Sequence, residues 1–181
     1  MSKFEVVSKY IGENGNTAIH LPVRATEHSA GYDFAAAQDV IIPSMREIMN
    51  TFEDYVAKKI PYSYEDIKAV TKATGFRPTL IPTGIKCQLD VGKYLEISVR
   101  SSTPLNGWVI LANGVGIIDG DYYNNPDNEG EIFFQVINLS PVDIVINAGD
   151  KIGQGIIKSY DKVEGDDVTT KRIGGLGSTN A

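Results

Sequence analysis

The chain has one cysteine, one tryptophan, two histidines and no long apolar run in 181 residues. A lone Cys87 excludes an internal disulfide and any zinc site built on several cysteines. It lies in Gly84-Ile85-Lys86-Cys87, where an ordinary half-buried thiol is expected. No segment approaches the roughly 18 consecutive apolar residues of a membrane span. The polar start Met1-Ser2-Lys3-Phe4-Glu5 lacks a signal-peptide core, so a cytoplasmic location is expected. Positive charge is also scarce, with 17 Lys and Arg against 23 Asp and Glu and a formal net charge of -6. Binding to nucleic acid or to anionic membrane leans on clustered cations, so neither is an expected partner. A small phosphorylated ligand stays open, because it needs only local cations or a metal.

What the chain does have is a series of short extended runs punctuated by Gly, Pro, Asn and Asp, which predicts an all-β barrel or sandwich. At this length one domain over residues 1–181 is expected. Expected strands are Phe4 to Lys9, Asp39 to Ile42, Thr79 to Leu89, Tyr94 to Arg100, Trp108 to Leu111, Ile132 to Asn138, Val142 to Ile146 and Lys151 to Ser159. Leu95, Ile97 and Val99 alternate with Glu96, Ser98 and Arg100, so one face of that strand is buried and Arg100 points to the other. Helical spacing appears only at Met45, Ile48, Met49, Phe52, Tyr55 and Val56, where Ser44 and Glu47 match a capping box. A helix from about Met45 to Lys59 is expected there, ended by Pro61. A second should start after Ser63, favoured by Glu65 and Asp66, and stop near Thr74 before Gly75. The pair reads as a helical hairpin inserted at about 44–77. Its apolar stripe serves either to pack on the domain or to dock a regulatory protein partner. The stretch from about 161 to 181 carries little apolar content and reads as a mobile arm, a lid that orders on ligand.

Several residues carry chemistry. In Gly116-Ile117-Ile118-Asp119-Gly120-Asp121-Tyr122 two β-branched residues extend the backbone, glycines let it turn, and Asp119 projects where the strand stops. Arg172-Ile173-Gly174-Gly175-Leu176-Gly177-Ser178-Thr179 combines a cation, two hydroxyls and spaced glycines, the ingredients of a phosphate cradle. Together they suggest a nucleotide. Asp33, beside Gly31, is either a turn-former or a metal-facing carboxylate. Arg100-Ser101-Ser102-Thr103 before Pro104 is either a loop or an oxyanion clamp, and Gln154 between glycines is a strand amide seeking hydrogen bonds.

Taken in order, AGYDFAAA, RSSTP, NGVGIIDGDY, GDKIGQG and RIGGLGST resemble the five ordered motifs of the trimeric dUTP diphosphatase family, over about Leu21 to Asn180. The resemblance implies a jelly-roll-like, distorted β-barrel subunit and a homotrimer whose C-terminal arm is swapped to close a neighbour's site. It also implies cleavage of dUTP to dUMP and diphosphate with Mg2+. By position, Asp119 matches the acid that orients the attacking water and meets the 3'-hydroxyl, and Tyr122 matches the ring that excludes a 2'-hydroxyl. Asn113 and the hairpin through Gly116, Ile117 and Ile118 resemble the uracil reader. Arg100, Ser101, Ser102 and Gln154 resemble phosphate contacts, as do Arg172, Gly177, Ser178 and Thr179 of the arm. Asp33 matches an acid that reaches the metal through water.

The chain also departs from the pattern. Leu176 stands where most members stack a phenylalanine, and Trp108 is either a replacement ring or a core residue. Arg172 is one position nearer the glycine pair than usual, with Lys171 in the common register, so either cation can make the contact. Asn124 to Glu129 extends a turn and should form a surface loop. Asn180 replaces a final glycine. A dCTP deaminase is the closest enzymatic rival, but no glutamate sits beside the hairpin to match its catalytic acid. A protein-binding role through residues 44–77 is an alternative of a different kind.

Overall fold

The computed structural model describes residues 1–46, 49–50, 63–74, 77–170 and 172–176. Its strands are β1 Lys3–Val6, β2 Val23–Arg24, β3 Tyr32–Ala35, β4 Val40–Ile42, β5 Thr79–Pro82, β6 Ile85–Gln88, β7 Lys93–Val99, β8 Val109–Leu111, β9 Gly116–Ile118, β10 Phe133–Asn138, β11 Ile144–Ile146 and β12 Lys151–Ser159. Two helices have described bounds, α1 Tyr64–Thr74 and α2 Ser102–Gly107. The fold is mostly β, as expected, but the strands do not close into a barrel. They form a five-stranded sheet β2-β3-β12-β7-β9, a three-stranded sheet β5-β10-β8, and the pairs β1-β6 and β11-β4.

The alternation in β7 works as the sequence implies. Leu95 and Ile97 are buried while Glu96 and Ser98 take the other face. The large sheet approaches the three-stranded one at Gly153, where an added Cβ would lie 1.9 Å from Phe134 Cε1. No side chain other than hydrogen fits there, and Phe134 fills the space between layers. Its ring lies 5.8 Å from Phe34, which meets Phe4 edge-on at 5.5 Å. Cys87 is buried in this core rather than half-buried, and burial alone pushes its thiol up to about 12.

The expected strand Thr79 to Leu89 is two strands. Gly84 turns the backbone at φ 67°, so β5 pairs with β10 while β6 pairs with β1. The first expected strand likewise ends at Val6 and is followed by a 3-10 turn over Ser8–Tyr10. Ser63 caps α1 as expected: its Oγ accepts from Asp66 N at 3.2 Å and Asp66 Oδ2 accepts from Ser63 N at 2.9 Å. Of the first expected helix, Met45, Arg46, Met49 and Asn50 are helical, and its remainder, with the ends at Pro61 and Gly75, lies outside the described residues. No helix among the described residues is long and apolar enough to cross a membrane.

Candidate active site

The sequence-derived residues fall into two clusters on the five-stranded sheet. In the first, register places Asp33 of β3 opposite Gln154 of β12, and Gln154 opposite Ser98 of β7. Asp33 is therefore a strand residue, not a turn-former. Gly31 clears room for the amide, since a Cβ there would lie 2.6 Å from Gln154 Oε1. Arg100, leaving β7 on the face that alternation assigned, brings its Nε to 3.7 Å from Asp33 Oδ1. Asp33 Oδ2 accepts from Lys151 Nζ at 2.8 Å, a partner that sequence reasoning missed although it lies inside the GDKIGQG motif and opens β12. A register shift between Lys151 and Gly153 lies beside this contact. Ser101 precedes α2 and Ser102 begins it, so the RSSTP run forms a helical turn rather than a loop.

The second cluster grows from β9. Gly114, at φ 72°, with Asn113 carries the chain from β8 in the three-stranded sheet to β9 in the five-stranded one. The expected hairpin is thus a passage between sheets, without pairing of its two arms. Gly116 sits against Ile97 so closely that a Cβ would lie 2.6 Å from Ile97 Cγ1. After Ile118 the strand ends and Asp119 emerges, followed by a 3-10 turn over Gly120–Tyr122. Tyr122 is buried, its hydroxyl donating to Glu131 O at 2.8 Å and accepting from Asn128 Nδ2 at 2.8 Å. Burial pushes this phenol's pKa up, so it stays a neutral donor.

Arg172 joins this group from the arm. Its Nη2 donates to Asp119 Oδ2 at 2.9 Å, its Nε to Asp121 Oδ1 at 3.1 Å, and its guanidinium carbon lies 5.5 Å from the Tyr122 ring centre. The described part of the arm therefore lies along its own chain's turn. Residues 161–170, by contrast, are exposed and form neither helix nor strand. Asp119, Ile117 and Arg172 share a cavity of about 610 Å³ with Lys93, Tyr94 and Tyr160. Trp108, at 62% exposure, is neither a core residue nor part of that lining. Leu176 is exposed. Lys171, Gly177, Ser178, Thr179 and Asn180 lie outside the described residues. No hydrogen bond or ion pair among the described residues links the two clusters.

This arrangement can hold a polyanion with Arg100, Lys151 and Arg172 and present a carboxylate beside a buried ring. A family profile for dUTPase matches residues 62–179. A deoxyuridine 5'-triphosphate nucleotidohydrolase of Lactococcus lactis subsp. lactis is 38% identical over 180 residues, covering 98% of this chain and 97% of that protein. The chain belongs to the dUTPase family. A crystal structure of the Streptococcus mutans dUTPase is similar at a TM-score of 0.66 and 33% identity, covering 90% of this chain and 98% of that one. A dUTPase of phage phi11 of S. aureus, 16% identical with a TM-score of 0.57, shares the fold over 94% of this chain and 97% of its own. Within the dUTPase frame, Lys151, Asp121 and Asn128 are the neighbours that motif reading did not supply. Lys151 and Asp121 lie inside quoted motifs and Asn128 lies in the loop that follows one, and spacing alone does not convert such positions into contacts.

Proposed function

We propose that this dUTPase family member hydrolyses dUTP to dUMP and diphosphate, acting in the cytoplasm to limit uracil incorporation into DNA and to supply dUMP for thymidylate synthesis. The observation that carries the reading is the grouping of Asp119, Tyr122 and Arg172 at the end of β9. Uracil would lie against Asn113 to Ile118, where backbone groups can meet its polar edge and an unpaired group would cost about 1 to 3 kcal/mol. The deoxyribose would rest on Tyr122. Asp119 would orient a water, take its proton as the water attacks phosphorus, and the bond joining the α-phosphate to diphosphate would break. Without nucleotide, Arg172 holds that carboxylate. A triphosphate offers more negative charge, draws the guanidinium toward itself and leaves Asp119 to the water.

The subunit would be jelly-roll-like and assemble as a homotrimer. In that trimer a second subunit would complete the site, its Arg100, Ser101, Ser102 and Gln154 meeting the phosphates. The arm of a neighbour, with its Arg172, Gly177, Ser178 and Thr179, would take the place that the chain's own arm holds on Asp119. The described residues do not fit a protein-held metal: no three His, Cys, Asp or Glu side chains cluster, and both Asp33 oxygens face cations. Mg2+ would be carried by triphosphate oxygens and water, offsetting their charge, with Asp33 near its water shell.

Purified protein given Mg2+ and dUTP, dTTP, UTP or dCTP in turn, with products separated chromatographically, tests the reading. dUMP and diphosphate should appear from dUTP alone. Deamination of dCTP would replace this activity with that of the deaminase rival. Asp119→Asn should lower kcat about 100- to 10,000-fold while still binding a non-hydrolysable dUTP analogue. Undiminished turnover in that variant would remove Asp119 from the chemistry.

A further inference from the structure

We propose that Asp127 is a positioning residue that seats the C-terminal arm and ties it to the Tyr122 platform. The segment Asn124 to Glu129 reads as a surface extension in the sequence, yet it is internally braced. Asn125 is 6% exposed, its Oδ1 accepts from Asp127 N at 3.1 Å and Asn128 N at 3.2 Å, and its Nδ2 donates to Asn128 Oδ1 at 2.7 Å. Gly130 N donates to the same Asn128 oxygen at 3.0 Å. Asn128 thereby holds a fixed place, from which its Nδ2 donates to the Tyr122 hydroxyl at 2.8 Å.

The arm lies on this braced loop. Gly175 N donates to Asp127 Oδ2 at 2.7 Å, and Gly174 and Gly175 are both buried. An added Cβ at Gly175 would stand 3.2 Å from Asn128 Nδ2 and 3.4 Å from Asp127 Cβ, so the arm's backbone lies close against the loop there. Arg172 on Asp119 and Asp121 is one anchor, and Gly175 on Asp127 is another, three residues on. Two anchors fix the register of the arm, whereas one alone would let it pivot. The carboxylate is well chosen, because a backbone N–H gives its stronger hydrogen bonds to a charged acceptor. The contact serves equally for an arm of the same chain or of a second copy. Its catalytic consequence rests on the dUTP-hydrolysis reading, but the docking itself does not.

Trypsin cleavage of the Arg172–Ile173 bond, followed by mass spectrometry without nucleotide, reports how often the arm leaves the loop. Losing a charge-assisted hydrogen bond should raise that rate about tenfold in Asp127→Ala. Asp127→Asn keeps an oxygen acceptor and should return most of the way to the unmodified protein. Cleavage after Lys162, on the exposed part of the arm, should stay the same in all three. The kcat/KM for dUTP should fall about tenfold in Asp127→Ala and recover in Asp127→Asn. Unchanged cleavage at Arg172, equal acceleration in both variants, or faster cleavage with unaltered kcat/KM would each overturn the proposal. An unmodified protein inert toward dUTP would sink the hydrolysis reading and leave the cleavage comparison to decide the docking.

Discussion

Gly116→Ala joins fold and site in one substitution. Gly116 pairs with Ile97 across β9 and β7, and the added methyl would stand 2.6 Å from Ile97 Cγ1 and 2.9 Å from Ile97 Cδ1. Ile97 is 2% exposed and branched at Cβ, so it has no free rotamer into which it can retreat. Relief must come from moving β9 off β7, at the roughly 1 to 3 kcal/mol typical of an overpacked core. For a chain of this size each kcal/mol lowers Tm by about 2 to 4 °C, so thermal unfolding followed by circular dichroism should shift down by about 2 to 12 °C. Asp119 lies three residues on, and a displacement of about 1 Å can cost about 100-fold in rate. Loss of kcat/KM for dUTP should therefore exceed what partial unfolding explains. Ile97→Ala alone should cost about 2 to 5 kcal/mol through its cavity. In that background the Gly116→Ala methyl enters vacated space, and the double variant should be more stable than the sum by about 1 kcal/mol or more. Agreement with simple addition, within about 0.5 kcal/mol, would refute the steric argument.

Tyr122→Phe should remove the hydroxyl shared by Glu131 O and Asn128 Nδ2, lowering stability by about 1 to 3 kcal/mol and raising KM for dUTP; an unchanged denaturant midpoint would count against that bond. Glu129 is held down at about 2, against an ordinary 4.5, by hydrogen bonds from the Ser8 hydroxyl and backbone and by Lys86. Because the folded value is depressed, its stabilisation is complete above about pH 4.5 and is lost as pH falls toward 2. With the carboxylate 37% exposed, solvent screening leaves about 1 kcal/mol of it. Urea unfolding across that range should show a shallower acid limb in Glu129→Gln, and an identical limb would exclude the contribution. Native Cys87, buried with its thiol near 12, should resist iodoacetamide at pH 8 and react at the free-thiol rate once unfolded; prompt labelling of the native protein would contradict its burial.

Legibility in the sequence followed the range of each interaction. Period-two alternation in Leu95, Ile97 and Val99 is a local property of the pleat, so the buried face of β7 and the outward direction of Arg100 could be read directly. The same holds for the Ser63 cap, which spans three residues, and for β12, whose bounds match expectation. Short strands were harder. β2 and β3 contain two and four residues, too few to show a period, and Asp33 looked as much like a turn as a strand position. The break inside Thr79 to Leu89 was hidden because apolar residues continue through it, and only the separate partners of β5 and β6 disclose the turn at Gly84.

The sequence by itself determined that the chain is mostly β, that it carries five ordered motifs, and that Asp119 ends an extended segment beside an aromatic ring. Those features reside in residue type and spacing. Only the tertiary structure decided which groups meet: Lys151 with Asp33, Arg172 with Asp119 and Asp121, and Asp127 with Gly175. Such contacts depend on strand register and on how one sheet approaches another, as at Gly153 against Phe134, and close packing sets these through residues distant in the chain.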